Sequence, residues 1–269
     1  MEEVKGSLIT VETLKSDFVR LGVCPGMTVI MHSSFKAIGS FVVGGPPAVI
    51  LALEAAVGEE GNVVMPTHSG DLSDPAGWEN PPVPKEWWET IREQMPAYDT
   101  NLTPLWGMGV IPEMFRKQDS VIRSSHPQLS FAAWGNKAEY IVGNHSLEYS
   151  LGEQSPLARV YELEGYVLLL GVGNDSNTSL HLSEIRADYE TKQEIMNQAP
   201  IKMDGTRHWA QFKDIEYDSS DFAAIGDDFE RATGLVKRGK IGGAEAMLIP
   251  QKQLVDYGTA WLPVHRKKS

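Results

Sequence analysis

Apolar residues along the chain fall into short runs separated by polar, glycine-rich breaks, and the runs follow two spacings. Thr10 followed by Leu14, Phe18 and Leu21, with Gly22 behind, has the three-to-four spacing of a capped amphipathic helix. Thr28 to Met31 is a continuous apolar run entering His32-Ser33-Ser34, which predicts a strand emptying into a loop. After Gly39, Gly44 and Gly45, Pro46 and Pro47 open a helix through Ala48 to Val57, proline being tolerated in a first turn. Asn62 to Met65 predicts a second strand, ending in the polar loop Thr67-His68-Ser69-Gly70-Asp71. Ser155-Pro156 starts another helix, ended by Gly165, and Tyr166 to Gly171 reads as a strand buried on both faces. Asn177-Thr178 caps the helix that follows, and Ile201 to Phe212 around Asp204-Gly205 has the pattern of a hairpin.

Strand, loop and helix therefore repeat at least three times. The expected fold is α/β, with a largely parallel or mixed sheet and a C-terminal antiparallel hairpin extension. No internal repeat or low-complexity linker interrupts it, so a single domain over residues 1–269 is expected. The stretch from Asp71 to Pro104 is rich in Pro, Trp and acid and holds one short helix around Glu86 to Gln94. Excursions of this length inside a domain are more often functional than not.

Composition narrows the classes. With 42% hydrophobic and 22% charged residues the chain is ordinary globular material. A net charge of -12 argues against nucleic acid, which needs clustered Lys and Arg, and favours cationic ligands. The same excess of acid also serves plain solubility. The apolar runs are too short to span a bilayer, so no membrane is expected. The start Met1-Glu2-Glu3 is acidic where a secretory leader would be basic, and a single cysteine excludes an internal disulfide. A cytoplasmic protein is expected. The basic tail His265-Arg266-Lys267-Lys268 reads as a solvated end.

Nucleotide signatures are missing. No G-x-x-x-x-G-K-S/T segment occurs, and Gly171-Val172-Gly173 lacks the third glycine of a dinucleotide fingerprint. The segment His32-Ser33-Ser34-Phe35-Lys36-Ala37-Ile38-Gly39 has the ingredients of a phosphate cradle, and equally those of a polar turn. Arg123-Ser124-Ser125-His126-Pro127 is a second cluster of this type. The sharpest constellation is Thr178 to Asp188, where helical spacing would put His181, Glu184 and Asp188 on one face. A carboxylate beside an imidazole suits a general base, and the same pair also occurs as a surface contact. His181 with Glu184, or with His126 and His145, falls short of the ligand count of a metal site, so no metal is expected. No G-x-S-x-G elbow is present, and Cys24, between Val23 and Pro25, reads as a small buried residue.

Together these segments resemble the aminoglycoside 3-N-acetyltransferase family, and most closely its chromosomal bacillus-type members. The resemblance rests on His32-Ser33-Ser34 with Gly44-Gly45, Val64-Met65-Pro66-Thr67, and Gly70-Asp71-Leu72-Ser73-Asp74-Pro75. It continues through Arg123-Ser124-Ser125-His126-Pro127, Gly152-Glu153-Gln154-Ser155-Pro156-Leu157, and Leu169-Leu170-Gly171 leading to Asn177-Thr178-Ser179-Leu180-His181-Leu182-Ser183-Glu184. It implies a three-layer α/β/α sandwich, acetyl-coenzyme A as donor, a cationic amine as acceptor and no metal. It maps the catalytic histidine onto His181, supported by Glu184 or by Asp188 one turn further. It assigns the donor to the first loop, with His32, Ser33, Ser34, Lys36 and Gly39, and to Arg123, Ser124 and Ser125 nearby. Ser33 or Ser34 is a candidate oxyanion donor. Asp71, Glu153 and Asp175, with Asp74 beside them, are the candidate acidic wall for the acceptor. Transfer is expected to be direct, with no acetyl-enzyme. The rival readings are the same fold acting on a different amine metabolite, and a coenzyme A or cation-binding protein without turnover. A homo-oligomer is left open.

Overall fold

Seven strands join in one sheet in the computed structural model, which describes residues 8–39 and 41–268. Met1, Glu2 and Glu3, with the acidic start read from them, lie outside the described residues. Across the sheet the order is Lys237–Ile241, Ala244–Pro250, Tyr166–Leu170, Thr28–Ser33, Asn62–Pro66, Phe131–Gly135 and Ile122–Arg123. The three middle strands are parallel, and the pairs at both edges are antiparallel. The parallel centre is made by the three strand–loop–helix units visible in the sequence.

Alternation along these central strands creates the layers. Val29, Met31, Val63, Met65, Leu168 and Leu170 face one core, shared with the helices Val11–Leu21 and Pro46–Val57. Ile30, Val64, Val167 and Leu169 face the other, against Pro156–Glu162, Leu180–Arg186, Phe222–Thr233 and Gln251–His265. Strands apolar on both sides must be covered twice, and an α/β/α sandwich results. Truncating one of these side chains to alanine costs about 2–5 kcal/mol, because the cavity left behind relaxes only in part.

Local signals place most element ends. Thr10 and Thr13 form a reciprocal capping box on the first helix, and Gly22 closes it in the left-handed region. The hairpin is longer than its sequence signal: Glu194–Met203 pairs with Thr206–Ile215 as a separate two-stranded sheet. Asp204 and Gly205 turn it with φ of 50° and 78°, the paired positive angles that an Asp-Gly turn accommodates. This ribbon clamps the long excursion. Arg207 donates to the carbonyls of Met95 (2.6 Å) and Arg92, and the Tyr98 amide donates to Pro200 O at 3.0 Å. Within the excursion the helix covers Trp88–Gln94, after a 3-10 turn at Lys85–Trp87.

Two expectations are corrected. Cys24 is exposed, because Val23 takes the core position and the chain then turns, with the Met27 amide donating to Cys24 O at 3.3 Å. Arg266, read as part of a solvated tail, is turned inward and only 9% exposed.

Candidate active site

The chain leaves the carboxyl ends of the three parallel strands at Ser33, Pro66 and Leu170, and ligand sites of open α/β sheets gather at such ends. After Leu170 the backbone passes Gly171, at φ 67°; a Cβ there would stand 2.3 Å from the Ala37 methyl. Only glycine lets this loop press so closely on the first one. Ser34 N donates to Leu170 O at 2.8 Å and ties the two together.

Between these loops lies a cavity of about 250 Å³ lined by His32, Ser33, Met108, Val172, Ser176 and Thr178, among others. His32 Nε2 and Ser33 Oγ are buried there and have no hydrogen-bond partner among the described residues. Burial, reinforced by the nearby His181, pushes His32 down to about 3, so it is a neutral ring. Buried polar atoms are normally satisfied, and two orphans at one cavity mark a place for a ligand. The mix of apolar wall with a few hydrogen-bonding atoms suits a small, partly polar ligand group.

His181 stands one turn beyond Thr178, on the helix Leu180–Arg186. Asn177 Oδ1 accepts from Ser179 N at 3.2 Å just before the helix, so the expected cap falls two residues early. His181 Nδ1 lies 2.5 Å from Glu184 Oε2. Glu184 is fully buried, and its Oε1 accepts from the Asp218 amide at 3.1 Å and from Arg266. A carboxylate so engaged can only accept, so the hydrogen sits on His181 Nδ1 and Nε2 carries a free lone pair. Nε2 has no partner among the described residues, and the side chain is 17% exposed. Tyr217 and Phe222 fix the ring plane, with centroids at 4.9 and 4.8 Å. Tyr217 is itself held, donating to Asp214 Oδ1 at 2.7 Å and accepting from Leu151 N at 3.1 Å.

Asp188 does not join this face. The helix ends at Arg186, and Asp188 follows in extended chain, exposed. Arg123 and Ser124 are also displaced from the expected role. The Arg123 guanidinium is buried and donates to Thr103 O (2.7 Å), Thr67 O (2.7 Å) and Ser130 Oγ (3.0 Å), so it has no free edge for a phosphate. Ser124 Oγ bonds His145 Nδ1 at 2.9 Å and accepts from Phe131 N at 2.9 Å. Ser125 opens onto a different cavity, with Tyr98, His145 and Lys202. Lys36 and Gly39 are exposed on the 3-10 turn Phe35–Ile38 and just after it.

Of the acidic candidates, Asp71 lines an open cleft of about 490 Å³ with Ser73, Trp78, Glu79 and Trp106. Trp106 is 65% exposed, and Trp78 Nε1 is pinned to Ser73 Oγ at 2.9 Å. Asp74 is committed to Arg92, and Glu153 grips Arg186 with two bonds of 2.7 and 2.9 Å. Asp175 sits exposed in the turn Asn174–Ser176. Sequence reading missed Tyr217, Asp218, Phe222 and Arg266. All four lie far along the chain from His181, and no local spacing announces them.

A family profile described as aminoglycoside 3-N-acetyltransferase matches residues 30–263, which stops short of Arg266. The chain is 48% identical over 254 residues to the SPbeta prophage-derived aminoglycoside N(3')-acetyltransferase-like protein YokD of Bacillus subtilis strain 168, covering 94% of this chain and 92% of that protein. The crystal structure of YokD superposes with a TM-score of 0.90, covering 96% of this chain and all of that one at 46% identity. Aminoglycoside N(3)-acetyltransferase VII of Streptomyces paromomycinus is 35% identical, over 94% of this chain and 91% of its own length. AAC-IIIb, solved as a binary complex with CoASH, is 30% identical with a TM-score of 0.86, over 98% of this chain and 99% of that one.

Proposed function

The chain belongs to the aminoglycoside 3-N-acetyltransferase family, and from that premise we propose that it moves the acetyl group of acetyl-coenzyme A directly to the 3-amino group of an aminoglycoside, with His181 as general base. The observation that carries the reading is the His181–Glu184 pair, with Nε2 left without a partner among the described residues, one turn beyond Thr178 and close enough to His32 to act on its charge. Both Thr178 and His32 line the cavity that holds two unsatisfied polar atoms.

His32 and Ser33 would hold the donor's pantetheine end, and the Ser33 hydroxyl and backbone amides of the first loop are the donors suited to a developing oxyanion. Lys36 and Gly39, exposed on and just after the turn that follows Ser34, would meet the charged end of the donor. The acceptor approaches from the Asp71 cleft, where Asp71 and Glu79 offer charge and Trp78 and Trp106 offer ring faces to ammonium groups. His181 Nε2 takes the proton from the attacking amine. The amine nitrogen bonds the acetyl carbon, the carbon–sulfur bond breaks, and the thiolate receives the proton that His181 carried. A thioester is already activated, so a covalent enzyme intermediate would bring little gain. Ser33 and Ser34 have no base on them among the described residues.

A panel of aminoglycosides and unrelated amines, each with acetyl-coenzyme A and a free-thiol readout, tests the acceptor class. Aminoglycosides should release thiol in step with an N-acetyl product seen by mass spectrometry. Release with unrelated amines alone would assign a different acceptor, and no release at all would leave only a binding protein. Intact mass of the enzyme with acetyl-coenzyme A alone should stay unchanged; a stoichiometric acetyl adduct discharged at the turnover rate would sink direct transfer.

A further inference from the structure

Arg266 follows the last helix, Gln251–His265, and folds back onto the helix that carries His181. Its Nη1 donates to Glu184 Oε1. Its Nε and Nη2 form a fork on Asp221 at 2.8 and 2.7 Å, and Nη2 also meets the Asp218 carbonyl. Tyr189 covers its face, with 5.2 Å from the guanidinium carbon to the ring centroid. The fork geometry suits arginine alone, since a lysine cannot grip a carboxylate with two parallel bonds.

We propose that Arg266 is a positioning residue for acetyl transfer: it keeps the buried Glu184 carboxylate charged and aimed at His181 Nδ1, which leaves Nε2 free as the base. This rests on the reading of His181 given above.

The physical argument concerns one proton. A fully buried carboxylate with only a neutral imidazole and the Asp218 amide beside it, and no cation, takes up a proton more readily. Protonated, Glu184 would become a donor to His181 Nδ1, and the ring hydrogen would have to move to Nε2. The base would be lost without the imidazole ever being charged. A guanidinium on Oε1 opposes that proton directly and leaves Oε2 for His181. Burial works against the charge of Arg266 itself, but its bonds to Asp221 and Glu184 outweigh this and hold it above the ordinary arginine range. The other charged or titratable groups facing the pair are Asp218 and Asp221 ahead of the helix Phe222–Thr233, and Tyr217 backed by Asp214. Tyr189 and Lys192 follow the histidine helix, His32 comes from the first strand, and His68 from the loop after the second. None of these residues is itself altered when Arg266 alone is changed.

The test compares Arg266→Met, Arg266→Lys and His181→Ala with the parent enzyme. Nitrogen-15 NMR of labelled histidine reads the tautomer with no substrate present, and the signal lost in His181→Ala identifies the ring. At pH 8 the parent should show hydrogen on Nδ1, and Arg266→Met should show it on Nε2. In kcat/KM profiles from thiol release, the acid limb of Arg266→Met should move up by roughly 1 to 3 pH units, the span a close opposite charge commands. Its loss should be at least about tenfold at pH 6.5 and within about threefold at pH 9.5, where Glu184 is ionised again. Arg266→Lys keeps the charge and should keep the parent's limb. A uniform loss at every pH, with the Nδ1 tautomer unchanged, would reduce Arg266 to an anchor for the chain end and overturn the proposal. Full turnover in His181→Ala would instead remove the base reading on which it rests, and the two failures are distinct.

Discussion

His145 and His181 are both enclosed histidines bonded through Nδ1, yet their partners give them opposite tautomers. His145 Nδ1 accepts from the Ser124 hydroxyl, and Nε2 donates to the Ser150 carbonyl at 2.6 Å. His126, tilted against it with ring centroids 4.9 Å apart, repeats the arrangement: Nδ1 accepts from the amides of Gln128 and Leu129, and Nε2 meets Leu147 O. Burial is the main cause that pushes these rings down to about 4 and about 3. Both nitrogens of each ring are occupied by neutral groups, so the pair is a fixed neutral strut. His181 meets an acceptor instead, keeps its hydrogen on Nδ1, and leaves Nε2 without a partner among the described residues. Burial alone does not make a histidine catalytic; the partner on the far nitrogen decides what the near one can do.

The sharpest way to break this contrast is to remove each ring in turn. His181→Ala should lower turnover at least about a hundredfold, as loss of a positioned base does. Coenzyme A affinity by calorimetry and the melting temperature should stay near the parent's. Near-normal turnover would end the base assignment. His145→Ala should do the reverse, leaving the Ser124 hydroxyl hydrogen and the Ser150 carbonyl unpaired and costing about 1–3 kcal/mol in urea unfolding. Its kcat per folded molecule should remain within a few-fold, and a catalytic defect without a stability loss would dissolve the distinction.

The neutral pair also sets a pH dependence. Both folded values lie below the ordinary 6.5, so the unfolded chain takes up protons first as pH falls. The stability they contribute is complete above about pH 6.5 and is lost as pH falls toward 4 and then 3, at about 1.4 kcal/mol per pH unit for each ring. His32 and His68 are depressed in the same direction, so denaturant unfolding between about pH 6.5 and 4.5 should show at least that slope, and His145→Gln should make it shallower. The smallest effect is expected at the acidic candidates. Asp71→Asn should raise the acceptor KM a few-fold, about the worth of one solvent-accessible charge pair. Glu153→Gln should change it less, because that carboxylate is committed to Arg186. Equal effects of the two would show that the Asp71 cleft is not the acceptor's approach.

Much of this architecture was legible before any coordinates. The runs at Thr28, Asn62 and Tyr166 alternate between two cores, and a strand apolar at every position announces cover on both sides. The Asp204-Gly205 turn named the hairpin, because few other pairs accept two positive φ angles. Glu184 was legible as a partner of His181 because three residues on a helix is a local distance. Asp188 failed on a boundary: the helix stops at Arg186, two residues too soon. Arg123 and Ser124 looked like anion ligands because composition cannot tell a free guanidinium from one already enclosed by carbonyls.

Local order along the chain thus determined the sandwich, the loops at the strand ends, and the His181–Glu184 pair, all of which depend on contacts a few residues apart or on periodicity. Tertiary structure decided the rest. It set which buried polar atoms are left without partners at the first loop, which acidic residues are already neutralised, and the return of Arg266 to a carboxylate 82 positions earlier. Those outcomes depend on desolvation and on which hydrogen-bond partners arrive from distant segments. Neither quantity exists until the layers have closed.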